Sequence, residues 1–103
     1  MPEIVVSLGD RIPTLPRAMP KDPEALKRFA QYAAEYDALV LSGNGTFALG
    51  DDLTQALLRM ELVEHYAKIL HLCLPLGGVQ PLAAADVKQL LEARNKAGLG
   101  PRK

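Results

Sequence analysis

The sequence predicts an α/β domain with a short mixed sheet and three helices, and three observations indicate this class. The apolar run in "DALVLSG" is typical of a strand buried on both faces. An Asn-Gly pair between that run and "TFALG" indicates a β-hairpin. Three further segments repeat apolar residues at helical spacing. With 103 residues, 49% of them hydrophobic, the chain is long enough for a single domain with a core.

Residues 1–21 are predicted to form a strand, "EIVVSLG", followed by a proline-rich extended segment. Pro13, Pro16 and Pro20 exclude a helix in this segment, because proline fixes φ and disfavours the helical conformation in the residue before it. Part of the segment could pair as an edge strand.

Residues 22–50 are predicted to contain a helix and the two hairpin strands. The helix begins at Asp22-Pro23-Glu24, because Asp accepts bonds from free backbone amides and Pro suits the first helical position. Its apolar side, which includes Leu26 and Phe29, is predicted to cover the sheet.

Residues 51–75 are predicted to form the longest helix, capped by Asp51 or Asp52. Apolar side chains cover most of its circumference, which predicts contacts on more than one side. Arg59 falls within the apolar arc, where it either extends its charge to water or meets a carboxylate, which could belong to another chain. Residues 76–103 are predicted to form a last amphipathic helix, from about Ala84 to Lys96, and a tail.

Composition excludes several classes of function. Twelve basic and twelve acidic residues cancel, so the net charge gives no reason to expect a nucleic-acid partner. No apolar run reaches the roughly 18 residues that a membrane span needs, and no secretory signal pattern is present. Cys73 is the single cysteine, which excludes an internal disulfide and fits a reducing cytoplasm. We therefore expect a cytoplasmic protein with no nucleic-acid or membrane partner.

The motifs that could form a binding or catalytic site are weak evidence when taken alone. Gly43-Asn44-Gly45 could suggest a phosphate loop, but no Lys-Ser/Thr pair follows Gly50 and Asp51-Asp52 would repel phosphate. A turn is the favoured interpretation. His65 and His71 fall on different sides of one helix, unlike the i, i+4 pairs that bind metals. A solvated helix face is the favoured interpretation for His65.

The order of the segments along the chain resembles the order found in a known family. The stretch "DALVLSGNGTFALGDDLTQALLRMELVEHYAKIL" follows "RIPTLPRAMPKDPEAL" and precedes "PLAAADVKQLLEAR". It resembles the class II aldolase/adducin family, whose members carry "ADAVLLxNHGxxxWGxDLxxAxxxAExLExxAxIxL" after a "PVVPY"-like stretch. The resemblance implies a partial three-layer α/β/α sandwich, with residues 1–103 forming a single truncated domain that corresponds to the family's C-terminal half. Family members are usually tetramers with active sites at subunit interfaces.

The same resemblance implies a degenerate metal site. Aldolases and epimerases of the family bind a divalent metal, usually zinc, with an upstream H-x-H pair and the His of the NHG-type motif. Asn44 occupies the position of that last His, and an amide oxygen is a poorer zinc ligand than imidazole. The upstream half, with its H-x-H pair, phosphate-binding loops and acid/base carboxylate, has no counterpart in this sequence. We therefore assign no catalytic residue and no metal ligand, and we expect no cofactor.

Two functions remain open. The first is a non-catalytic module that acts in oligomer assembly or protein interaction, since half a sheet beside a helix apolar nearly all round should expose apolar surface. Its partner would be a second copy or a companion polypeptide. The alternative is a fragment or subunit of a class II aldolase, a carbon–carbon lyase for a sugar phosphate or hydroxy acid. A companion chain would complete it, and zinc or another divalent metal belongs only to this alternative. The interface candidates are Arg59, Met60, Val63, Tyr66 and Leu70.

Overall fold

A computed structural model describes residues 2–17, 21–78 and 80–99 of the chain. The α/β class is confirmed, with four α-helices in the described residues where three were predicted. The elements in chain order are α1 (Pro2–Leu8), β1 (Thr14–Leu15), α2 (Pro23–Glu35), β2 (Ala38–Leu41), β3 (Gly45–Ala48), α3 (Leu53–Cys73), a 3₁₀ turn (Leu74–Leu76) and α4 (Ala84–Lys96).

The additional helix, α1, replaces the strand predicted for "EIVVSLG", and that prediction is wrong. Its β-branched residues favour strands only weakly, and packing overrides such a preference. Ile4, Val5 and Leu8 lie within one helical turn of each other and are all buried. Gly9 ends the helix with φ of 91°, and its N–H donates to the carbonyl of Val5 at 2.9 Å.

The sheet is mixed, as predicted, with strand order β1-β2-β3. β1 lies parallel to β2, with Leu15 beside Leu41, and confirms that part of the proline-rich segment forms an edge strand. The carbonyl of Pro13 accepts the N–H of Val40 at 2.9 Å. Pro20 lies outside the described residues. β2 and β3 pair antiparallel and form the predicted hairpin.

Helices cover both faces of the sheet. On one face, the ring of Phe47 on β3 meets the ring of Phe29 on α2 edge to face, with centroids 5.1 Å apart. On the other face, Ala38 joins a core cluster with Leu8 of α1 and Val63 of α3. These contacts make the three layers of an α/β/α sandwich. α4 packs on α1.

The predicted helix start at Asp22 is confirmed, since its carboxylate accepts the N–H of Glu24 at 3.1 Å. α2 nevertheless has no fully buried residue, and Leu26 is 56% exposed. This helix therefore covers its face of the sheet only in part.

The long helix α3 begins after Asp52, the second of the two predicted caps. The Asp52 carboxylate accepts the N–H of Gln55 at 2.7 Å, and the Gln55 side chain accepts the N–H of Asp51 at 2.6 Å. This reciprocal arrangement resembles a capping box. α4 spans the predicted Ala84–Lys96. In the part of the chain that is described, no helix is long and apolar enough to cross a membrane.

Candidate functional site

The Gly43-Asn44-Gly45 turn connects β2 and β3 at the exposed end of the hairpin. Leu41 pairs with Gly45, so Ser42, Gly43 and Asn44 form the loop, and the N–H of Asn44 donates to the carbonyl of Leu41 at 2.9 Å. Positive φ values fall on Gly43 (78°) and Gly45 (123°) and not on Asn44. The predicted hairpin is confirmed. Both positive φ values belong to glycines, whereas an Asn-Gly hairpin turn would place one of them on Asn.

The Asn44 turn lies on the surface of the protein. Asn44 is exposed, and among residues 2–17, 21–78 and 80–99 no group of three His, Cys, Asp or Glu side chains comes together to hold a metal. The side chain of Arg17 lies next to the turn. A Cβ placed on Gly43 would lie 3.3 Å from Cδ of Arg17. His65 and His71 are both exposed on α3.

A buried cluster of three charged residues lies between the sheet and the helices α3 and α4. Asp37, directly before β2, is 4% exposed, and Arg59 of α3 is 7% exposed. Nη1 of Arg59 lies 3.4 Å from Oδ1 of Asp37 and donates to the carbonyl of Leu49 at 2.7 Å. Arg59 therefore meets a carboxylate of its own chain, which resolves the alternatives left open by its place in the apolar arc.

Arg94 of α4 completes the cluster. Its Nη2 donates to Oδ2 of Asp37, and its Nη1 donates to the carbonyls of Val6 and Ser7 at 3.0 and 2.8 Å. These carbonyls belong to the last turn of α1, where a cation is favoured by the helix dipole. Arg94 thus joins α4, the end of α1 and the start of β2.

Sequence reasoning missed Asp37 and Arg94 as a structural pair. A signal was present, because Arg94 continues the apolar positions Val87, Leu90 and Leu91 of α4 at helical spacing. A cation in such a position either reaches solvent or has a buried partner. At 4% exposure, Arg94 has the buried partner.

A cleft of about 520 Å³ borders this cluster. Asp10, Glu35 and Tyr36 line it together with Arg94. The guanidinium of Arg94 is already engaged by Asp37 and the α1 carbonyls. The other polar side chains that line the cleft are two carboxylates, a phenol and the amide of Asn95.

Exposed leucines lie near both ends of α3 and in the 3₁₀ turn that follows it. Near its start, Leu53 is 85% exposed and Leu57 is 57% exposed. Near its end, Leu72 is 61% exposed and Leu76 of the 3₁₀ turn is 86% exposed. Leu58 and Leu74 are also more than half exposed. We call these six residues the exposed leucines of α3.

The five interface candidates lie mainly elsewhere on α3. Arg59 and Val63 lie inside the chain's own core, so they do not present side chains at the surface. Met60, Tyr66 and Leu70 are half-buried, and Tyr66 packs against the core. An interface role for these three residues stays a prediction.

The three-layer arrangement, with a glycine-flanked hairpin leading into a capped long helix, defines a sandwich of the aldolase class II-like type. The chain belongs to the class II aldolase and adducin family. The family model described as the Class II Aldolase and Adducin N-terminal domain matches residues 1–71.

Two solved structures are similar to the chain. One is YgbL from Escherichia coli, a proposed aldolase/epimerase/decarboxylase, with 28% identity and a TM-score of 0.73 over 88% of this chain. The other is YgbL from Klebsiella pneumoniae, with the same proposed activities, 28% identity and a TM-score of 0.76 over 87% of this chain. The chain spans 43% and 42% of these two proteins. A search of curated proteins finds no significant match.

Proposed function

We propose that this chain is a non-catalytic member of the class II aldolase and adducin family that acts in oligomer assembly or protein interaction. The observation that carries this proposal is the set of exposed leucines of α3. Burying apolar surface contributes about 25 cal/mol per Å², and an accumulation of large exposed apolar side chains supports a binding role. Six leucines of α3 and its 3₁₀ turn, each more than half exposed, supply that surface.

The proposal includes a degenerate metal site. The family resemblance places Asn44 where members carry a metal-binding His, and the exposed amide has no ligand cluster around it in the described residues. An amide oxygen alone binds zinc poorly compared with imidazole. The Asn44 turn is then a hairpin without a catalytic metal.

The second candidate is a subunit or fragment of a divalent-metal-dependent class II aldolase that a companion chain completes. The chain's match to 43% of the length of YgbL, a proposed aldolase/epimerase/decarboxylase, favours this candidate. Zinc or another divalent metal would be bound only in the completed assembly. A cytoplasmic location is part of both proposals, and the lone free thiol of Cys73 supports it.

Two measurements on the purified full chain test the leading proposal. After incubation with excess zinc and desalting, metal analysis should find far less than one zinc per chain. Sedimentation velocity should find the chain associated with itself or with a co-purifying polypeptide. Stoichiometric zinc would overturn the non-catalytic proposal, and a folded monomer that carries no other chain would overturn the interaction role.

A further inference from the structure

We propose that α4 is a lid, which opens as a unit while the sheet and the helices α1, α2 and α3 remain folded. Arg94 holds this lid closed, and Gly77 and Gly78 form its hinge. Opening widens the cleft that borders the Asp37 cluster. The motion goes beyond the proposed interaction role and does not depend on it.

The attachment of α4 to the rest of the chain depends on one polar side chain. Arg94 is the only buried residue of this helix, all of which lies in the described part of the chain. The apolar positions Val87, Leu90 and Leu91 are half-buried. Among the described elements, α4 packs extensively against α1 alone. A helix with few buried apolar contacts opens at a lower free energy than the core does, so α4 is expected to separate before the fold unfolds.

The cleft of about 520 Å³ is lined by residues of α4 and of the ends of α1 and α2. Leu91, Arg94 and Asn95 line it from α4, and residues 8–10 and 35–36 line it from the other two helix ends. The space in this cleft takes the place of contacts that a close-packed interior would supply. α4 is therefore one wall of the cleft, and its release opens the cleft to solvent.

The segment before α4 provides a hinge. Gly77 and Gly78 have φ of 100° and 87°, and apart from their chain neighbours no described residue lies within 4 Å of a Cβ placed on either of them. Residues 80 and 81 are exposed, and Ala83 precedes α4 without a side-chain cap. Rotation at the two glycines therefore meets no packed neighbour in the described structure.

The Asp37 cluster can lose Arg94 without leaving a buried carboxylate alone. Nη1 of Arg59 lies 3.4 Å from the other oxygen of Asp37, so this ion pair remains when α4 leaves. The carbonyls of Val6 and Ser7, which Arg94 bonds in the closed form, belong to a helix end, where water can satisfy them. A buried charge without a partner is what makes such a separation costly. Because Asp37 has a second arginine, opening avoids this cost.

Native-state hydrogen exchange of the full chain, at one protein concentration and increasing urea, tests the opening. The protection factors of the α4 amides should be at least about tenfold lower than those of the most protected α3 amides, because only the lid has to open. They should also fall less steeply with urea, because opening exposes less surface than global unfolding does. If α4 and α3 share both the protection and the urea dependence, α4 opens only with the whole fold and the lid is overturned.

Two variants of α4 test whether Arg94 holds the lid closed. Arg94→Met should lower the protection factors of the α4 amides by about tenfold or more, since it removes the bonds to Asp37 and to α1. Lys88→Met, the matched control at an exposed position of the same helix, should change them by less than about threefold. Equal protection of α4 in the two variants would overturn the role of Arg94.

Phe47→Ala tests the independence of the lid without altering α4. This residue lies on β3, which has no extensive contact with α4 in the described structure. The substitution should lower the protection of the most protected α3 amides and leave that of the α4 amides unchanged, because a local opening does not require the whole fold to unfold. A parallel loss of protection in α3 and α4 would overturn the lid. None of these results bears on the interaction role.

Discussion

Arg94 and Asp37, 57 positions apart in the sequence, form a buried ion pair that joins the last helix to the start of the central strand. Arg59 approaches the same carboxylate from α3 at 3.4 Å. Because Arg94 also bonds two carbonyls at the end of α1, one side chain connects three separate elements. A buried charge that loses its partner is costly, so this cluster makes the packing of α4 specific.

Arg94→Met should destabilise the fold by about 3 kcal/mol or more, because it removes the bonds to the carboxylate and to the α1 carbonyls. Lys88→Met, at an exposed position of the same helix, should change stability by less than about 0.5 kcal/mol. Urea unfolding of both variants at one fixed protein concentration measures the difference. Equal stabilities for the two variants would contradict a structural role for the cluster.

The aromatic contact between Phe29 and Phe47 should control the docking of α2. No residue of α2 is fully buried, and an edge-to-face contact with centroids 5.1 Å apart joins its Phe29 to Phe47 of the sheet. Phe47→Ala should cost about 1–2 kcal/mol, less than a full core truncation because Phe47 is 38% exposed. Leu26→Ala, at a more exposed position, is the matched control.

Hydrogen exchange distinguishes local loosening from global unfolding in the Phe47→Ala variant. The amides of α2 should exchange faster than in the wild type by a larger factor than the amides of α3 do. Equal acceleration in the two helices would show that α2 is docked by contacts other than this aromatic pair.

The hairpin turn depends on backbone conformation at Gly43. With φ of 78°, Gly43→Ala should cost about 1–2 kcal/mol, since a Cβ is disfavoured in the left-handed region. The introduced Cβ would also approach Cδ of Arg17 at 3.3 Å. Thermal unfolding of Gly43→Ala and of Gly43→Ala with Arg17→Ala separates the two causes. We expect both to lose similar stability, and recovery in the double variant would assign the cost to the side-chain contact instead.

Features with local causes were predictable from the sequence. Asp51-Asp52 predicts a helix start through capping chemistry, and the spacing in "AADVKQLLEARNK" predicts α4 to its observed bounds. The helix α1 was not predictable in this way. Its seven residues match a strand or a helix about equally well, and the choice depends on packing against α3 and α4.

The Asn44 turn and the Asp37 cluster also differ in whether their causes are local or tertiary. The turn at Asn44 follows from local glycine chemistry, while its correspondence to a metal position depends on resemblance to a family. The link between Asp37 and Arg94 could not be predicted, because a cation at an apolar helix position indicates a buried partner without saying which residue that partner is. That choice is made by the tertiary arrangement of α1, β2 and α4.

Restoring the family's ligand type at the turn should not restore a metal site. Asn44→His adds one imidazole at an exposed position, where the described residues provide no cluster of further ligands, and one imidazole does not complete the four-coordinate shell of zinc. Metal analysis after zinc loading and desalting should therefore match that of Ser42→His, a neighbouring exposed control, and zinc should raise the melting temperature of neither variant. Stoichiometric zinc in Asn44→His but not in Ser42→His would show that the chain retains the remaining ligands of a metal site.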